Sequence, residues 1–320
     1  MSSSASPASS NINGIDLLLI LLVTCSWGLN YPIMKYVVTS YPPLTFRAFT
    51  FLIGVVLLGL YAWKTGESLR VPAQERWMTF KLGVPNMVMW HLGLIYGVML
   101  LNSGRAAIVG YTMPVWALLA SVLMFRNRMT LRGIFGVLCS LFATFLLAKD
   151  EMSNFAGQPL GLVCTLAAAI AWGIGNAMMR NCKLSISSIS LTFWMLLLAW
   201  ICFTVLATIT ERERWHWPTL IQWAAIVYAG AVTFAICYVA WFRVARKLTA
   251  VTSGLSIMLV PVVGLFGGNL FLGEAIGSAD LVALVLILLA IAIVLMPTRV
   301  LHTPAAQTNV QAVPTSKDKA

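Results

Sequence analysis

Runs of about 20 apolar residues, separated by short polar segments, recur along almost the whole chain. That is the length of α-helix needed to cross a hydrocarbon layer roughly 30 Å thick. In lipid every backbone N–H and C=O must be satisfied within the protein, so runs of this kind read as spanning helices. Composition agrees. Of the 320 residues 60% are hydrophobic and 10% charged, against roughly 25% charged in a soluble domain. The expected fold class is an all-α integral membrane protein of ten transmembrane helices, at 16–36, 44–63, 79–100, 105–125, 131–148, 158–179, 187–208, 219–242, 249–272 and 277–296.

The net charge of +11 does not point to nucleic acid, because the basic residues lie in short clusters between apolar runs. Such clusters are topology signals: lysine and arginine stay on the cytoplasmic side. With the N-terminus inside, the inner segments carry fifteen of them, including Lys64, Arg70, Arg126, Arg128, Arg180 and Arg243. The outer helix ends carry six: Lys35, Arg47, Arg105, Lys149, Arg212 and Arg214. The bias places both termini in the cytoplasm and requires an even number of spans. The expected location is the cell inner membrane. Residues 1–14 are Ser-rich, lack the basic start of a signal peptide and read as a disordered tail. Residues 298–320 read as a second one. The six cysteines form no C-x-x-C pair and accompany no histidine cluster, so neither metal nor cofactor is expected.

A self-comparison at an offset near 146 shows an internal repeat. Trp27-Gly28-Leu29 recurs as Trp172-Gly173-Ile174, Leu44-Thr45-Phe46 as Leu191-Thr192-Phe193, and Pro114 as Pro261. The halves are 15–149 and 157–297. A unit with an odd number of crossings turns its second copy upside down, and two such inverted five-helix repeats commonly underlie alternating access with a site near mid-bilayer.

At these residues the chain resembles the drug/metabolite transporter superfamily, specifically its EamA-type members. The resemblance rests on Trp-Gly in helices one and six, Pro43 with Arg47, Ala106-Ala107 before Pro114, and Pro261 followed by Phe271-Leu272-Gly273-Glu274. It implies ten helices and export or exchange of small metabolites through a cavity lined by helices one, three, four, six, eight and nine. The chain departs from the family at Asn127, where the first half usually carries Glu; whatever that Glu does then falls to Glu274.

Polar side chains inside hydrocarbon are costly and so mark pathway candidates. His91 lies in the middle of the third span beside Trp90, and the offset pairs it with Tyr238 in the eighth. Trp27 with Asn30, and Trp172 with Asn176, each place an indole and an amide about one turn apart on one helix face. Tyr111 precedes Pro114 by three residues. Pro114 and Pro261 each remove a backbone donor and are expected to break or kink their helices, with a gating role. Indole, amide and imidazole together suit an amino acid or a similar amphipathic solute. Packing is the competing reading for the Trp/Asn pairs, and close helix approach is preferred for Gly28 and Gly173. Lys35 and Arg47 are expected to snorkel to headgroups rather than to draw in an anion.

No Asp or Glu lies deep in any expected span, which favours a facilitator or exchanger over a proton- or sodium-coupled uptake carrier. A membrane-embedded enzyme would need clustered nucleophiles or ligands; neither H-E-x-x-H nor G-x-S-x-G occurs. The expected partners are a small-molecule substrate and membrane lipids. Nothing in the lipid-facing composition marks an oligomer seam.

Overall fold

The computed structural model describes residues 13–153, 158–245 and 258–295. Among them every regular element is helical. In chain order they are α1 (Gly14–Val38), α2 (Pro43–Thr65), α3 (Ala73–Leu100), α4 (Ser103–Phe125), α5 (Leu131–Ser153), α6 (Pro159–Asn181), α7 (Ser188–Thr210), α8 (Leu220–Val244), α9 (Val260–Leu272) and α10 (Ser278–Leu295). The first eight are long and apolar enough to cross a membrane; α9 and α10 are shorter apolar helices. The chain is thus a multi-pass membrane protein. The expected start of the ninth span, and both expected tails except residues 13 and 14, lie outside the described residues.

Local chemistry sets the helix starts. Asn13 caps α1 in a reciprocal box with Asp16, and Thr219 caps α8 in the same way with Gln222. Pro43 opens α2, where its missing N–H costs nothing, and Gly66 closes it in the left-handed region at φ 70°. Two expected boundaries are corrected. Helix α3 begins at Ala73 rather than 79, because a helix can continue into water past the bilayer, carrying Glu75 and Arg76 with it. Helix α5 runs to Ser153 rather than 148, because Asp150 and Glu151 in its last turn are held by Arg105.

The outer surface is that of a body in lipid. Leu123, Leu131 and Leu220 are 80%, 78% and 86% exposed, positions where water would demand polar side chains.

The packing is two-fold in kind. Helix α2 lies on α7 and α5 on α10; α1 packs on α8 and α9, and α6 packs on α3 and α4. Exchanging each helix for the one five places along leaves this set of neighbours unchanged. The close contacts repeat too. A Cβ added at Gly28 would sit 2.5 Å from Val263 Cβ, and one at Gly173 would sit 2.6 Å from Trp116 Cβ. Trp116 and Val263 are themselves equivalent positions of the repeat. These two glycines let α1 approach α9 and α6 approach α4.

Both halves also interrupt their helices at matching places. A π-helical stretch spans Val84–Met89 in α3 and Tyr228–Ile236 in α8. In α3, Pro85 supplies the cause by removing one helix donor. A turn at Tyr111–Thr112 splits α4 just before Pro114, and a turn at Met258–Leu259 precedes Pro261.

Candidate functional site

One face of the bundle is clasped shut by groups that cross between the halves. The N-termini of α2 and α4 have no side-chain cap of their own. Glu211, just past α7, accepts from Leu44 N at 3.0 Å, Thr45 N at 2.8 Å and Thr45 Oγ1 at 2.7 Å. Glu274, just past α9, accepts from Ser103 N at 2.8 Å and Ser103 Oγ at 2.7 Å. A carboxylate at a helix N-terminus meets both free N–H groups and the positive end of the dipole. Arg105, two residues after Ser103, donates to Asp280 at 2.7 Å and also to Asp150 and Glu151. Lys35 donates to the carbonyl of Met99 at 2.9 Å, and Gln222 to Ser40 Oγ at 3.1 Å. Lys35 therefore ties α1 to α3 instead of snorkelling. Burial, and next the Glu211 carboxylate, push the Tyr41 phenol above its ordinary pKa, so it stays protonated at this face.

From mid-height toward the opposite face runs a cavity of about 550 Å³. Its lower walls come from the ends of α4, α6, α8 and α10 and the start of α7, reaching Arg180 and Ser188. The volume suits a small solute. Trp27, Asn30, Trp90, His91, Tyr111, Trp172, Asn176 and Tyr238 all line it, as does Pro114. Pro261 does not; it is buried near the start of α9, beside the contact with Gly28.

The aromatic groups form two matched pairs across the cavity. Trp27 on α1 meets Tyr238 on α8 at 5.9 Å edge-on, with Trp241 at 6.0 Å. Trp172 on α6 meets Trp90 on α3 at 6.0 Å. The Trp27 indole is fixed by donation to the Thr233 carbonyl at 3.3 Å. His91 is 6% exposed, packed edge-on against Phe51 and Phe234 at 5.1 Å each, and neither ring nitrogen has a protein partner. Asn30 Oδ1, Asn86 Oδ1 and Thr233 Oγ1 are likewise buried and unpartnered. The break in α4 leaves less free backbone than expected, because Thr112 Oγ1 donates to the Val109 carbonyl at 2.7 Å.

Arg47 corrects the sequence reading most sharply. It is 0% exposed, enclosed among Met34 of α1, Phe46 of α2 and Phe234 of α8, and reaches no headgroup. Sequence reasoning also passed over Asn86, for which Gly175 makes room: a Cβ there would lie 2.3 Å from Asn86 Nδ2. An amide directly after Pro85 in an apolar run was the available signal. The carboxylate caps had no local signal, since Glu211 and Leu44 are far apart in sequence.

A bundle built for lipid, holding at mid-height a cavity of indoles and unpartnered polar groups drawn from both halves, has the architecture of a membrane transporter. The chain belongs to the EamA-like transporter family, whose pattern matches residues 14–149 and again 159–296. It is 28% identical over 260 residues to the uncharacterized transporter YoaV of Bacillus subtilis (strain 168), covering 80% of this chain and 88% of that one. It is 23% identical over 283 residues to a probable amino-acid metabolite efflux pump of Escherichia coli (strain K12), covering 85% and 92%. A solved crystal structure superposes with a TM-score of 0.63 at 19% identity over 90% of this chain and 98% of that one, which fixes the likeness of fold.

Proposed function

We propose that the protein is a secondary transporter that exports or exchanges a small amphipathic metabolite by alternating access through this cavity. The observation that carries the reading is the cavity itself. Equivalent helices of the two halves supply its indole, amide and imidazole groups, and it is closed at one face and continued toward the other. In this reading α9 and α10 complete ten crossings, the repeats are inverted and the site lies at their seam. In the same reading the protein sits in the inner membrane, and the lysine and arginine bias supports an external clasped face and cytoplasmic termini. The state described is then inward-facing. Among the described residues no Asp or Glu lines the cavity, which favours a facilitator or exchanger over an ion-coupled carrier. A relative's name as an amino-acid metabolite efflux pump supports a solute of that size and polarity.

Purified protein in liposomes, supplied with radiolabelled amino acids and amines and no pH or sodium gradient, is expected to show counterflow of at least one of them. A folded protein that exchanges none would refute the proposal. Accumulation that strictly requires an ion gradient would replace it with the coupled uptake carrier.

A further inference from the structure

Arg47 is a cation sealed inside a bundle that lies in lipid, and the protein gives it no counter-charge. Among the described residues no carboxylate pairs with it. Nε and Nη1 have no acceptor, and Nη2 meets only the Met34 sulfur, at 2.6 Å. A thioether is a weak acceptor. Glu211, the carboxylate that caps α2, is occupied by Leu44 and Thr45. A guanidinium cannot shed its proton to escape this cost, so a missing partner is a real deficit.

The deficit borders the cavity. The guanidinium carbon lies 5.7 Å from the centre of the Phe234 ring, and Phe234 lines the cavity. The same ring meets His91 edge-on at 5.1 Å. Tyr31 and Tyr238 stand on the same cavity wall as Phe234. Residues of the cavity lining carry further unpartnered groups, Asn30 Oδ1, Thr233 Oγ1 and both nitrogens of His91. A site with one spare cation, spare neutral hydrogen-bonding groups and indole walls lacks one thing, a solute bearing a single negative charge.

We propose that Arg47, against Phe234, whose ring His91 also meets, is an anion subsite that receives the carboxylate of the transported solute while Trp90, Trp172, Trp27 and Tyr238 enclose its apolar body. One guanidinium balances a monoanion; a phosphate dianion would bring a second, unmatched negative charge into the bundle. The inference rests on the transport reading above and specifies its substrate class.

The test uses 3-phenylpropionate, the matching alcohol 3-phenylpropanol, the matching amine and inorganic phosphate, with the full-length protein in nanodiscs of zwitterionic lipid. Wild-type protein is expected to bind the acid about tenfold more tightly than the alcohol, the increment of a charge-assisted hydrogen bond. Arg47→Gln, confirmed folded by its elution profile and far-UV dichroism, is expected to remove that preference. Arg47→Lys, which keeps the charge and loses the planar fork, is expected to keep part of it. Equal binding of acid and alcohol by the wild type would overturn the proposal. So would an undiminished preference in Arg47→Gln, or phosphate competing as well as the acid. Acid preference without flux of any probe would sink transport and leave the subsite; flux without acid preference would do the reverse.

Discussion

At the scale of single residues, the cavity gathers groups whose cost in lipid is justified only by what they contact. His91 has both nitrogens unpartnered and three aromatic neighbours, Phe51, Phe234 and Trp90. Trp172 walls the other side through Trp90. Replacing His91 or Trp172 by Ala is expected to lower liposome flux by roughly tenfold or more, the usual weight of a buried anchor in a binding site, with insertion and elution unchanged. Normal flux in both variants would remove them from the site. Gly28 and Gly173 carry a different prediction. Leu at either must push α1 from α9, or α6 from α4, and is expected to cost about 1–3 kcal/mol, read as a lower unfolding temperature in detergent. Much of this level was legible in the sequence. The indoles, amides and His91 stood out as polar atoms in apolar runs, and the repeat offset paired them by depth. Arg47 was misjudged because distance from a helix end says nothing about which neighbours cover the side chain.

At the scale of elements, the clasp joins six helices through one arginine and two carboxylate caps. Arg105 links α4 to α5 and α10, while Glu274 ties the end of α9 to α4, and Glu211 ties α7 to α2. Arg105 and Asp280 are 11% and 2% exposed, so their interaction is poorly screened. Removing one partner of such a network costs about 3 kcal/mol or more. Arg105→Ala is therefore expected to loosen the clasped face. With the native cysteines replaced by serine, an Ala106→Cys reporter, buried in the wild type, is expected to become several-fold more reactive to an impermeant thiol reagent applied from that face. Unchanged reactivity would mean the clasp is not a gate. Helix positions were readable because the apolar run is the part that lipid sees. The extensions of α3 and α5 were not, because their added turns are polar and are held by water or by Arg105. The caps were hidden for the same kind of reason: a local sequence window contains the helix start and never the distant carboxylate that satisfies it.

At the scale of the whole molecule, the neighbour pattern maps onto itself when the halves are exchanged, and so do the π-helical stretches and the turns before the two prolines. If each half makes five crossings, the segment after α2 and its counterpart after α7 must face opposite sides of the membrane. Short epitopes inserted beside Gly66 and beside Glu213 are expected to be reached from the cytoplasmic and the external side respectively. Reaching both from one side would undo the inverted arrangement and the alternating mechanism with it.

Among the described residues the clasp itself has no twin. At the repeat offset, Arg105 corresponds to Thr252, Asp280 to Gly133, and Glu274 to Asn127, whose amide donates to Ser121 instead. In the proposed cycle, a mirror-image closure of the opposite mouth would thus have to form without the counterparts of these ion pairs. If the protein alternates as proposed, its two end states are unequal in energy, and an empty carrier would spend most of its time with its unclasped door ajar.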